Sequence, residues 1–325
     1  MMIETSTLEP TCPLPSKAYN LEMLHQEAYP GLETHGWCFG LPPGISPEQW
    51  PLDPLTGYPL VHGFTLRLPP DYRCHGPEIT GLSFFAACNE HSDGGTPPDE
   101  AIQAAMTGPV APSDERYRPF WKAAQDSHPR LFRMIDVLDD SFAVILLTEA
   151  ELNGPPCRPA HAAAASALSC HATPHWISVG SARTYFDSQI GTSLRVRTEE
   201  HFVYKQLGGI PDARLDWNRA LRWTPRANDP NAGKTPREDY ATEKTSGYQQ
   251  PHYFEGLPKA ENFRKHKWAA DHARDHIGGT MQPIQATPHF SPFYVEFEEY
   301  LGGYNFGGGN CQLDFLNMQL DWACG

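Results

Sequence analysis

The chain predicts a fold of many short strands and short helices separated by long, ordered, proline-rich loops, and not a helical bundle. Prolines number 32 in 325 residues and sit beside turn residues throughout, which interrupts helices early. Two runs near the C-terminus alternate apolar and polar side chains with the period of a half-buried strand. Hydrophobic content of 40% against 20% charged marks a globular chain. At 325 residues it makes two modules or one large one, long enough to bury a core without staples.

In chain order, residues 1–15 read as a poorly ordered leader. Residues 17–29 read as a short helix with Leu21, Leu24 and Ala28 on one face. Residues 40–60 are loop text. Residues 61–68 alternate and predict a strand, and residues 82–87 predict a second, more buried one. Thr96, Pro97, Asp99 and Glu100 combine a hydroxyl cap, an early proline and first-turn acids, so a helix runs from there to Thr107 and stops at Gly108-Pro109. Residues 116–124 predict another short helix, holding Pro119, and residues 131–138 and 142–147 two strands around Asp139-Asp140. The alanine-rich text at 155–175 is a composition break, either a linker or a surface helix. It sets the expected modules at 1–155 and 181–325, with a linker at 156–180. Beyond it, residues 176–179 and 194–203 read as extended, 226–250 as a long polar loop, and 260–276 as a helix stopped by Gly278-Gly279. In the closing stretch Phe293, Val295 and Phe297 alternate with Tyr294, Glu296 and Glu298. After a glycine-rich run, Cys311, Leu313 and Phe315 alternate with Gln312, Asp314 and Leu316. That is a hairpin with a long, flexible loop, integral to the core.

Lys plus Arg is 25 and Asp plus Glu is 39, a net charge of −14. An acidic surface repels nucleic-acid phosphates and suits a cationic protein partner, so no nucleic acid is expected. No apolar run reaches membrane-span length, so no membrane association is expected. The first residues lack a basic region followed by an apolar run. The 8 cysteines form no C-x-x-C pair. They read as reduced thiols of a cytoplasmic protein.

Candidate chemistry is sparse. The glycine loop at 302–309 lacks G-x-G-x-x-G spacing and no helix follows it to hold a phosphate. Gly233-Lys234-Thr235 mimics the end of a phosphate-binding loop, but Asn228 stands where its first glycine belongs. Asn89, His91, Asp93, Gly94 and Glu100 partly match a calcium loop, although His91 offers nitrogen where calcium wants oxygen. His272 and His276, four apart with Asp275 beside them, share a face if that segment is helical, and would need a third ligand for zinc. Cys74-His75 with Cys88 and His91 is a second loose set. No G-x-S-x-G elbow is present. Asp139-Asp140 and Glu298-Glu299 are adjacent in sequence, which puts them on opposite faces of a strand.

Several phrases in order carry a resemblance. They are Trp50-Pro51, Gly57-Tyr58-Pro59-Leu60, Leu82-Ser83-Phe84-Phe85, Gln206-Leu207-Gly208-Gly209-Ile210-Pro211, Ile277-Gly278-Gly279-Thr280 and the closing hairpin with Asp314, Asp321 and Trp322. In these the chain resembles the YwqG-like family of bacterial proteins, over about two-thirds of its length. The resemblance implies an α+β fold with mixed, mostly antiparallel sheets and an internal structural duplication. It implies no catalytic residues and no cofactor. Some members lie beside polymorphic toxin genes, which implies a cytoplasmic immunity protein. Such a protein would bind a cationic secreted toxin, for example a type VI secretion effector, and occlude its active site. Glu296, Glu298 and Glu299 are the expected exposed contacts. A metal-dependent enzyme built on His272, His276 or the Asn89 loop, and a non-catalytic adaptor, are the alternatives.

Overall fold

The structure is a computed structural model that describes residues 13–25, 33–91, 96–160, 162–190, 201–237, 247–273 and 275–325. Its strands are β1 (Tyr19–Met23), β2 (Gly36–Phe39), β3 (Val61–Arg67), β4 (Ile79–Ala86), β5 (Leu131–Ile135), β6 (Ser141–Thr148), β7 (Asn218–Pro225), β8 (His252–Phe254), β9 (Phe263–Lys265), β10 (His276–Ile277), β11 (Tyr294–Glu298), β12 (Asn310–Asp314) and β13 (Gln319–Ala323). Its helices are α1 (Glu100–Thr107), α2 (Arg118–Gln125), α3 (Glu149–Leu152), α4 (Ala162–Leu168), α5 (Trp176–Val179), α6 (Ser181–Ile190) and α7 (Phe202–Leu207). Eleven strands form one sheet in the order β13-β12-β11-β10-β1-β7-β2-β3-β4-β6-β5, and β8 and β9 form a separate ribbon. The fold is α+β. Where mixed sheets were expected, the strand pairs described are all antiparallel.

The sheet curls on itself. Phe64 of β3 and Phe84 of β4 both meet Phe297 of β11 edge to face, at 5.2 and 5.4 Å between centroids. Several strands separate them in the sheet order, so the rings can touch only if the sheet closes most of a barrel around them. Tyr304 and Phe306 from the glycine-rich loop fill the interior beside Phe84 and Phe297. Tyr185 and Phe186 of α6, with Val203 and Leu207 of α7, join the same core. The outer face of the β3–β6 region packs under Trp50, Trp176 and Leu152, and α1, α2 and α4 gather beyond it around Tyr58 and Phe120. The two expected halves share one sheet: β1 lies between β10 and β7, and β2 pairs with β7.

The strands expected near 61–68, 82–87, 131–138 and 142–147 appear as β3 to β6, and the helices near 96–107 and 116–124 as α1 and α2. The cap of α1 is Asp99, which accepts from Ile102 N, and not Thr96. Other readings are overturned. The helix expected at 17–29 is β1 where it is described. Tyr19 and Leu21 are buried while Asn20 and Glu22 are less so, and pairing to β7 and β10 on both sides outweighs helical spacing. Trp176–Val179 is helical and stacks Trp176 on Trp50. Residues 194–200 of the second expected extended run lie outside the described residues, and its end enters α7. The helix expected at 260–276 is two short 3-10 turns, Ala260–Asn262 and Lys267–His272, flanking β9 and leading to β10. It lacks an apolar stripe, since β9 is exposed along its length. The glycine-rich loop is packed rather than loose, with Leu301, Tyr304 and Phe306 buried. Tyr304 fits because residue 63 is glycine, where a Cβ would stand 1.8 Å from its hydroxyl.

Candidate functional site

Along β11, Val295 and Phe297 face the core, so Glu296 and Glu298 share the opposite face. Register places His276 of β10 and Gln312 of β12 on either side of Glu296. The row His276–Glu296–Gln312 is buried. Glu296 accepts from Gln282 N at 2.9 Å and from Gln312 Nε2 at 3.2 Å. His276 places Nδ1 2.8 Å from Gly278 O and Nε2 3.2 Å from Glu296 Oε1. Both ring nitrogens face oxygens, and burial, with Arg226 adding to it, lowers the pKa of the imidazole. Glu296 is therefore not the exposed contact that its place in an alternating strand predicts. The segment after β10 folds back and covers this face, with Met281 and Phe290 packing on Tyr294.

Asp275 and Glu298 complete an acidic cleft. Asp275 is buried and accepts from Glu298 N at 2.9 Å and from Tyr300 Oη at 2.5 Å. Burial, with Glu298 and Glu296 adding to it, pushes its carboxyl to about 7 against those two hydrogen bonds. Partial desolvation at the rim, with the neighbouring Glu296 and Glu299 adding to it, also raises Glu298, which stays exposed. Glu299 turns away: its Oε1 accepts from Phe306 N at 2.5 Å and Gly308 N at 2.9 Å, so it ties the glycine-rich loop. Of the three acids expected as exposed contacts, Glu298 alone stands open beside the cleft.

Two depressions meet at Asp275. A cleft of about 170 Å³ is lined by Gln282, Ile284, Asn310, Glu296, Glu298 and Asp275, among others. A larger cleft of about 550 Å³ shares Ala273, Asp275 and Glu298 with it and extends past Tyr300, Lys205 and His25.

A second buried polar group holds the floor in place. Arg226 pairs with Asp229 at 3.2 Å, both buried, and reaches Asn20 Oδ1 at 2.7 Å. Burial works against the Asp229 carboxylate, but Thr280, backbone amides and Arg226 hold it below the usual range. Thr280 donates its hydroxyl at 2.7 Å and its N–H at 3.0 Å to Asp229. Gly278 and Gly279 take positive φ there, and a Cβ on Gly279 would stand 2.4 Å from the Asp229 carboxylate. This lock fixes how the chain leaves β10 and so where Gln282 lies.

The other sequence candidates separate. His272 ends a 3-10 turn while His276 sits in β10, so they share no helix face. His75 Nε2 contacts Phe315 O at 2.6 Å and its ring faces Phe132, whereas His91 faces Tyr58 and His171. Cys74 and Cys88 belong to different core clusters. Lys234 Nζ donates to Gly247 O. Asp93 and Gly94 of the calcium-like loop lie outside the described residues. Among the described residues, no group of three or more His, Cys, Asp or Glu side chains is placed to hold a metal ion, and no helix is long and apolar enough to cross a membrane.

No family model, curated protein or solved structure matches this chain. Residues that sequence reasoning missed are Gln282, Tyr300 and Asn310. They come from three separate segments, and no spacing between them marks a motif. Asp275 stood out only as a neighbour of the histidines.

Proposed function

We propose that the protein is a non-catalytic binding protein that receives a cationic partner at the acidic cleft beside β11. One observation carries the reading: Asp275 and Glu298 line both clefts together, beside the buried Glu296, and desolvation and neighbouring carboxylates raise both of their carboxyl pKa values. A cation brought into the cleft pairs with these acids and offsets the repulsion between them, which is the electrostatic complement of an acidic chain of net charge −14. With the resemblance to the YwqG-like family, this supports an immunity protein of the cytoplasm. It would bind a cationic secreted toxin encoded beside it and occlude the toxin's active site. The internal duplication that the resemblance implies belongs to the same reading.

Co-expression with the neighbouring toxin gene tests the proposal. Growth should be rescued, a complex should survive gel filtration, and Glu298→Gln should weaken it by about tenfold, as expected for losing one charge-assisted contact. Absence of both rescue and complex rejects it.

A further inference from the structure

The smaller cleft carries an unmet acceptor as well as charge. Gln282 is 7% exposed and lines the cleft, yet its Oε1 is buried with no hydrogen-bond partner. Its amide cannot simply be reversed. Nε2 donates to Ala269 O at 2.6 Å, and a flip would set two oxygens against each other. A buried amide oxygen without a donor costs about 1–3 kcal/mol, so such an atom marks a place where an N–H donor belongs. Asn310 does not supply it: its Nδ2 donates to Gln282 O and its Oδ1 accepts from Ile284 N. The walls of the cleft therefore hold acceptors: the carboxylates of Glu298 and Asp275, and Gln282 Oε1, which is closed to solvent until a donor enters.

Size narrows the visitor further. A volume of about 170 Å³ is below the roughly 300–1,000 Å³ of pockets that enclose a whole small ligand. It suits the tip of one side chain. The larger cleft of about 550 Å³ shares a wall with it and has room for the segment that carries that side chain.

We propose that the smaller cleft is a guanidinium socket that takes the tip of an arginine side chain from the partner, while the flanking backbone lies in the larger cleft. This rests on the reading that the cleft receives a cationic partner. A guanidinium presents five N–H donors in a plane and can serve a neutral amide oxygen and carboxylates on different walls together. An ammonium is a compact, strongly hydrated point charge and serves such a spread less well. Lys265 is the one lysine or arginine among the described residues lining this cleft, and it opposes entry by charge.

Calorimetric titration of the full chain with N-acetyl-arginine amide and N-acetyl-lysine amide tests this. The arginine amide should bind, with the lysine amide about fivefold weaker or more. Gln282→Leu should weaken arginine binding about tenfold while leaving lysine binding unchanged. Should Gln282→Leu not fold, two exposed positions test the same socket: Glu298→Gln should weaken arginine binding and Lys265→Gln should strengthen it. Equal affinity for the two amides, no arginine binding, or weaker binding in Lys265→Gln overturns the socket. Capture of the whole toxin without arginine-amide binding sinks the socket alone. Failure to capture the toxin sinks the reading beneath it.

Discussion

Burial lifts the Asp275 carboxyl from the ordinary 3.8 to about 7, and that single residue ties the cleft to the pH dependence of stability. Between those two values the folded chain holds a proton that the unfolded chain has released. Stability therefore falls as pH rises through that window, and the penalty is complete above about 7. Asp140 acts with the same sign, raised to about 7 by burial and by Asp136, Asp53 and Asp139. Asp275→Asn keeps both hydrogen bonds, because the amide oxygen accepts from Glu298 N and the amide nitrogen donates to the Tyr300 oxygen. The variant should match the wild type at pH 4 and exceed it at pH 8 by on the order of 4 kcal/mol, since the carboxyl is lifted from 3.8 to about 7 and each pK unit is worth about 1.4 kcal/mol. Urea melts at the two pH values measure this. A variant equally or less stable at pH 8 would show that the Asp275 carboxylate is well accommodated when charged.

At the scale of elements, the β12–β13 turn shows how one side chain can build a hairpin. Asp314 is fully buried and accepts from Ser291 N at 2.6 Å, Ser291 Oγ at 2.8 Å, Leu316 N at 3.0 Å, Asn317 N at 3.1 Å and Asn317 Nδ2 at 3.0 Å. It closes the turn and ties the entrance of β11 to the exit of β12. Asp314→Ala strands those donors and should cost about 3 kcal/mol or more by denaturant unfolding; a loss below about 1 kcal/mol would mean that water replaces the carboxylate. The alternation that predicted β11 and β12 is visible in the sequence because one face of each meets a core of aromatic rings. The third strand, β13, was not legible, since its residues are mostly half-buried and its place depends on the Asp314 turn. The same holds for the acidic cleft. Glu296 and Glu298 look alike in the sequence, and only the fold-back of residues after β10 buries one and leaves the other open. The expected helix at 260–276 failed for a related reason: histidines four apart fit a helix face, but the segment carries no apolar stripe to make a helix pack, since β9 in its middle is exposed along its length.

For the whole molecule, the question is how the two ends of the eleven-strand sheet are held. β13 and β5 lie at opposite ends of the strand order and approach each other in space. Trp322 of β13 donates Nε1–H to Asp136 Oδ2, just after β5, at 2.6 Å, and its ring stacks on Phe306 at 5.7 Å. Asp136 also accepts from Leu138 N and Asp140 N, so the same carboxylate shapes the β5–β6 turn. The bond thus joins the last strand to a turn far earlier in the chain, a relation that no local pattern in the sequence encodes. Trp322→Phe keeps the ring on Phe306 and deletes only the donor. A hydrogen bond to a charged, partly exposed acceptor is worth about 1–2 kcal/mol, and that is the expected loss. The sharper readout is backbone hydrogen exchange. If the bond clasps the sheet, amides of β13 and of β5 lose protection together in Trp322→Phe, while those of β3 and β4 in the middle of the core keep theirs. Loss confined to β13 would mean that the two edges open independently and that the aromatic interior alone keeps the sheet curled.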